Sequence, residues 1–130
     1  MIVIDASIVI EVLLQTNEGV VIGEKLLIRG ESLHAPHLID VEIAQVLRRY
    51  VVRGDLYPER ARQALDVLAE FPMTRYAHEP LLGRIWALRD NLTAYDASYV
   101  ALAEGLRSPL ATRDHRLAAA PGLATSVEIL

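Results

Sequence analysis

Residues 1–10 read MIVIDASIVI and residues 92–104 read LTAYDASYVALAE. The first opens on an apolar run rich in β-branched Ile and Val and closes on a lone acid, the pattern of a short buried strand with Asp5 at its carboxyl end. In the second, Asp96 stands near the start of an apolar helical pattern, just after Thr93. Outward from these two stretches, helices are expected over 7–14, 19–28, 38–53 and from Pro58, around 80–89 and over 94–106. Short strands are expected at 33–35, 73–76 and 109–112 and in the closing TSVEIL, with DHRLAAA forming a helical turn or two. The helix over 38–53 has the clearest apolar face, with Ile39, Ile43, Val46, Leu47 and Tyr50 aligned and Gly54 placed to cap it. In the next helix Ala61, Leu65 and Leu68 are expected to face inward. Helical patterns alternating with short strands point to an α/β fold with a parallel sheet covered on both faces.

At 130 residues the chain has the length of one domain and can bury a core without covalent staples. It contains no cysteine, so disulfides and thiolate metal sites are excluded and any metal must be held by oxygen or imidazole. No run approaches the ~18 apolar residues of a membrane span, and MIVID lacks the basic flank and length of a signal peptide. The expectation is therefore a cytoplasmic chain starting at Met1, with no membrane association. The net charge of -4 argues at first against a nucleic-acid partner. Setting aside Asp5, Glu42, Asp96 and Asp114, however, leaves acids and cations equal in number, and every cation but Lys25 is an arginine.

Those four acids each have an ordinary explanation or an open one. Asp5 can cap the helix that follows it, Asp96 can form a capping box with Thr93, and Asp114 can cap HRLAAA. Glu42 has Gln45 and Val46 at the helical spacings where a cationic partner would sit, so it makes no routine surface ion pair. Taken together, the acids say more. In an open α/β sheet, ligands collect at the carboxyl ends of strands where strand order reverses, and Asp5 and Asp114 both follow strands. Neighbouring strands lie ~4.8 Å apart, close enough for two end carboxylates to share one ion. Four clustered carboxylates repel one another unless a hard cation lies among them, and Mg²⁺ or Mn²⁺ prefers such oxygen ligands.

IVIDAS, APHLIDVEIAQVLRR, LTAYDASYVALAE and LATRDHRLA resemble, in order and spacing, the four acidic motifs of PIN-domain ribonucleases. The resemblance runs over nearly the whole chain and is closest to the VapC toxins of bacterial toxin–antitoxin pairs. It implies a single PIN domain over residues 1–130, with a three-layer α/β/α fold and a parallel sheet of order 3-2-1-4-5. It also implies a catalytic quartet of Asp5, Glu42, Asp96 and Asp114 that binds Mg²⁺ or Mn²⁺, with Ser7 and Thr112 as supporting hydroxyls. The activity implied is endoribonuclease cleavage of RNA by a metal-activated water. The implied partners are a VapB-type antitoxin and a second copy of the chain in a homodimer. Arg113 and Arg116 flank Asp114 and are candidates to meet RNA phosphates. Some members carry further acids after the fourth motif, where His115 and Arg116 stand here, so the motif leaves one metal or two.

Other assignments fit less well. A phosphoryl-accepting receiver domain needs an acidic pair after its first strand and a lysine after its last, and Lys25 is the sole lysine. A phosphatase of the haloacid dehalogenase type needs Asp-x-Asp where Asp5-Ala6-Ser7 stands. A catalytically idle PIN-like binding module gains nothing from four mutually repelling acids. His34, His37, His78 and His115 show no ligand spacing, and Trp86 in LLGRIWAL reads as core rather than a base-stacking platform.

Overall fold

β1 (Ile2–Ile4) sits at the centre of a five-stranded sheet of order β3-β2-β1-β4-β5, in which every neighbouring pair is parallel. The structure, a computed structural model, describes residues 1–130. The other strands are β2 (Leu33–Pro36), β3 (Met73–Tyr76), β4 (Leu110–Thr112) and β5 (Val127–Ile129). Ile2, Val3 and Ile4 are fully buried, so their alternating side chains meet cover on both faces. Each such side chain contributes roughly 1.5–3 kcal/mol, which anchors a strand of only three residues.

Parallel strands require crossovers, and helices supply them. α1 (Ala6–Leu14) and α2 (Asn17–Arg29) lead to β2, α3 (Leu38–Val52) and α4 (Pro58–Ala69) to β3, and α5 (Leu82–Ala87) and α6 (Ala94–Leu106) to β4, with α7 (His115–Ala118) before β5. α1 packs against α2, α3 and α4, whereas α5 packs against α6, which lies on β1, β2 and β4. The chain builds outward from β1 through β2 to β3, then returns to place β4 on the other side of β1. That return is the reversal of strand order at which a crevice opens.

Local chemistry sets the joints. Thr16 caps α2 by accepting from the Gly19 amide at 2.9 Å, which starts this helix at Asn17, two residues earlier than expected. Gly19 has no room for a side chain, since a Cβ there would lie 2.0 Å from the Glu11 carbonyl oxygen. The close approach fixes how α2 leaves α1. His78 Nε2 accepts from the Leu38 amide at 2.9 Å and caps α3, while buried His34 lies 2.7 Å from both Ser32 Oγ and Tyr76 Oη. Two histidines are thus satisfied within the fold, as expected. No single helix is long and apolar enough to cross a membrane.

Three expectations need correction. The helix around 80–89 is a 3₁₀ turn over Glu79–Leu81 followed by α5, because Pro80 opens a tight first turn. On α4 the buried residues are Ala61, Ala64 and Leu68, and Leu65 is rotated to the edge. Trp86 is 69% exposed, because short α5 turns Ile85, not Trp86, toward the core.

Candidate active site

The register of β1 and β4 decides the site. Val3 pairs with Leu110 and Ile4 with Ala111, so the chain carries Asp5 and Thr112 past the last pairs side by side. Thr112 Oγ1 donates to Asp5 Oδ2, and Ser7 Oγ donates to Asp5 Oδ1 at 2.5 Å. The Ile8 amide adds a third bond at 3.3 Å, so Asp5 does cap α1. The two hydroxyls also look outward: Ser7 Oγ accepts from the Arg113 amide at 2.9 Å and Thr112 Oγ1 from the Asp114 amide at 3.0 Å. Ser7 and Thr112 thereby lace the end of β1 to the segment after β4 and hold Asp5 at their junction. Only an ionised carboxylate accepts from every donor around it, so this polar circuit favours Asp5 as an anion.

Asp5, Ser7, Glu42, Asp96 and Asp114 all line one crevice of about 330 Å³ at the carboxyl ends of the strands. Thr112 lies fully buried beneath it. Glu42 reaches the crevice from α3, and Tyr99 Oη on α6 donates to its Oε1 at 2.7 Å. This bond explains why Glu42 has no partner on its own helix. Tyr99 is one turn beyond Asp96 on the same face of α6, a spacing that could have marked it in the sequence. Asp96 enters from the first turn of α6, where its amide donates to the capping Thr93 hydroxyl at 3.2 Å. Asp114 caps α7 by accepting from the Arg116 amide at 2.9 Å. Capping and crevice roles therefore coincide for Asp5 and Asp114. Arg116, its side chain 95% exposed, lies outside the crevice lining but has its Nε 3.6 Å from Asp114 Oδ1, whereas Arg113 belongs to the lining.

The acids carry the electrostatic mark of crowding. Burial raises the Asp5 carboxyl above its ordinary range, and the Ser7 and Thr112 hydroxyls partly offset that rise. Glu42 is raised by burial and by the charges of Asp96 and Asp5, against the lowering effect of Tyr99. Asp96 is raised by burial and by the charge of Asp114. Burial, followed by the charge of Glu42, raises the Tyr99 phenol, which keeps it a neutral donor. The acids thus sense one another across the crevice, and a cation among them would relieve both effects.

The donor set fits a hard divalent ion. Every acid in the crevice offers oxygen, no histidine lines it, and the chain has no cysteine. The four acids line one crevice, but no three of them gather closely enough to form a ready-made metal cluster. Mg²⁺ or Mn²⁺ would meet one or two of these carboxylates directly and keep water on the rest of its shell. A larger concavity, about 660 Å³, borders the amino ends of β2 and β3, but its lining is mainly apolar and includes none of the four acids.

Residues 2–123 match the family described as PIN domain. The chain is 43% identical over 129 residues to Ribonuclease VapC1 of Mycobacterium tuberculosis, covering 98% of this chain and 96% of that protein. Among solved structures, PAE2754 from Pyrobaculum aerophilum shares the fold at a TM-score of 0.74 and 23% identity, over 97% of this chain and 81% of that one. VapBC2 from Rickettsia felis, solved bound to a DNA fragment from the promoter, shares it at a TM-score of 0.72 and 12% identity, over 100% and 99%. With its sheet order, its crevice at the reversal between β1 and β4, and this likeness over almost its full length, the chain belongs to the PIN-domain family and, within it, to the VapC proteins.

Proposed function

We propose that the protein is a divalent-metal-dependent endoribonuclease, the toxin of a type II toxin–antitoxin pair, acting on RNA in the cytoplasm. The observation that carries the reading is the convergence of Asp5, Glu42, Asp96 and Asp114 from four separate segments on one crevice at the strand-order reversal. The ribonuclease names of its close relatives give the reaction class.

In this reading, Asp5, Asp96 and Asp114 hold Mg²⁺ or Mn²⁺, and Glu42 completes the set. When bound, the ion supplies positive charge that acidifies nearby water and offsets charge on the phosphoryl oxygens. The chain does the positioning. Ser7 and Thr112 fix both oxygens of Asp5, so its orientation is set before any ligand arrives. Tyr99 occupies Oε1 of Glu42 and leaves Oε2 without a protein partner, available to water or an ion. The partners proposed are a VapB-type antitoxin that covers the crevice and a second copy of the chain.

Cleavage of total RNA tests the reading, with Mg²⁺, Mn²⁺ or EDTA present and the ends mapped. Discrete cuts are expected with either ion and none in EDTA. Cutting that persists in EDTA, or in an Asp5→Ala protein, would overturn it.

A further inference from the structure

The crevice is lined by two cations as well as by its acids, and these two are Arg49 and Arg113. An arginine beside uncompensated carboxylates ordinarily collapses onto them. Neither forms an ion pair with Asp5, Glu42, Asp96 or Asp114. Arg113 adjoins Asp114 in sequence, yet its Nη1 lies 2.8 Å from Glu11 Oε1 on α1. Arg49 shares α3 with Glu42, yet it is exposed and forms no ion pair with any acid of the chain. Along α3, Glu42 to Arg49 is about two turns, or roughly 10 Å, and Asp5 to Glu11 on α1 is nearly as far. The crevice therefore holds two cations that pair with none of the four quartet acids, one of them held by Glu11.

The anchor of Arg113 is itself anchored. Thr16 Oγ1 donates to Glu11 Oε2, and the same hydroxyl accepts the Gly19 amide that starts α2. The Glu11 carbonyl is pressed against Gly19, where no side chain fits. On the other side, the Arg113 amide is bonded to Ser7 Oγ, the hydroxyl that also holds Asp5. The Arg113 fork is thus placed by the network that places Asp5, and its charge is engaged by Glu11 and by none of the quartet. A crevice whose quartet is flanked by two arginines that pair with none of it suits a chain of phosphates, with one phosphate at the acids and its neighbour on the guanidinium forks.

We propose that Arg49 and Arg113 form a subsite for the phosphate next to the scissile one, with Glu11 as the residue that positions Arg113. The subsite rests on the ribonuclease reading above for its place in a reaction, but it can be measured without cleavage. The probe is a fluorescent random-sequence single-stranded decaribonucleotide, titrated in EDTA across a range of salt. Arg49→Ala and Arg113→Ala should each weaken binding roughly tenfold and lower the slope of log affinity against log salt by about 0.7. Arg113→Lys, which keeps the charge without the fork, should fall between wild type and Arg113→Ala. Arg48→Ala, one residue from Arg49 but outside the lining, should change neither quantity.

Glu11→Gln gives opposite signs for two readings. Removing an acid from an RNA-facing groove should tighten binding if only net charge matters. If Glu11 positions Arg113, binding should weaken, and adding Glu11→Gln to Arg113→Ala should weaken it no further. In Mg²⁺, both arginine variants should raise KM for RNA cleavage with little change in kcat, because a neighbouring phosphate is held alike in ground and transition states. Tighter binding by Glu11→Gln, or equal losses from Arg48→Ala and Arg49→Ala, would overturn the subsite. Arginine-dependent binding with no cleavage by wild type would leave the subsite standing and remove the ribonuclease reading. Cleavage with KM unchanged in both variants would do the reverse.

Discussion

At the carboxyl ends of β1 and β4 the structure buries Asp5, gathers three more acids around it and raises the carboxyl groups of Asp5, Glu42 and Asp96 out of their ordinary range. At the amino ends of β2 and β3, the same sheet borders an apolar groove that includes Leu26, Leu33, Phe71 and Met73. The groove end gains stability from what it buries, because removing aliphatic surface from water is favourable without further conditions. The acid end stabilises its charges through specific hydroxyls, the Tyr99 bond, the amides of Ile8 and Arg116 and the exposed Arg116 side chain, and the mutual repulsion persists. Crowding of this kind lowers the stability of the fold. Changes at the two ends should therefore act on different observables, and often with opposite sign.

The largest effect expected is on cleavage. Asp5→Ala should lower RNA cleavage in Mg²⁺ by on the order of 10⁴-fold, and Asp5→Ala/Asp114→Ala should be little worse, since groups that act as a unit are not additive. Initial rates on a fixed RNA check both. Leu26→Ala, at the groove end, should leave cleavage at permissive temperature near wild type while removing roughly 2–4 kcal/mol of stability by denaturant unfolding. A Leu26→Ala protein that folds stably but cannot cut RNA would erase the division between the ends.

A smaller effect is expected from pH. Asp5, Glu42 and Asp96 all have carboxyl groups raised in the folded state, with burial the first cause. The folded protein then holds protons that the unfolded chain has already released. Its stability should fall as pH rises from the ordinary carboxylate range through the raised folded values. In EDTA, wild type should lose stability across that window relative to Glu42→Gln/Asp96→Asn. A pH profile shared by the two proteins would mean that Glu42 and Asp96 are not raised in the folded protein.

Much of this was legible in the sequence. The five strands followed from short β-branched runs alternating with helical periods, their order came only from the resemblance to PIN-domain ribonucleases, and IVID and LATRD each placed an acid just past a strand. Side-chain rotation and long-range pairing were less visible. Glu42 advertised a missing partner, but nothing local to α3 pointed to Tyr99, a residue of another layer. Arg49 stood on the Glu42 face of its helix, yet only the packing of α1 against α3 shows that this face borders a crevice shared with Glu11. Trp86 was misread because LLGRIWAL has the composition of a core helix, whereas α5 is only six residues long and turns only Ile85, partly covered, toward the core. Leu65 failed for a related reason: the buried stripe of α4 runs through Ala61, Ala64 and Leu68, and Leu65 falls at its edge.

The most direct measurement is denaturant unfolding of wild type and Asp96→Asn, each in EDTA and in Mg²⁺ at matched ionic strength. Asp96→Asn keeps the shape and removes one charge from the quartet. In EDTA the variant should be at least as stable as wild type, because a burdened carboxylate has been removed. Mg²⁺ at about 100 times its dissociation constant should stabilise wild type by about 2.7 kcal/mol, and the variant should lose most of that gain. The contradicting result is an Asp96→Asn protein destabilised equally in both buffers, by the roughly 0.3–1 kcal/mol of a lost first-turn charge, with no Mg²⁺ stabilisation of wild type to lose.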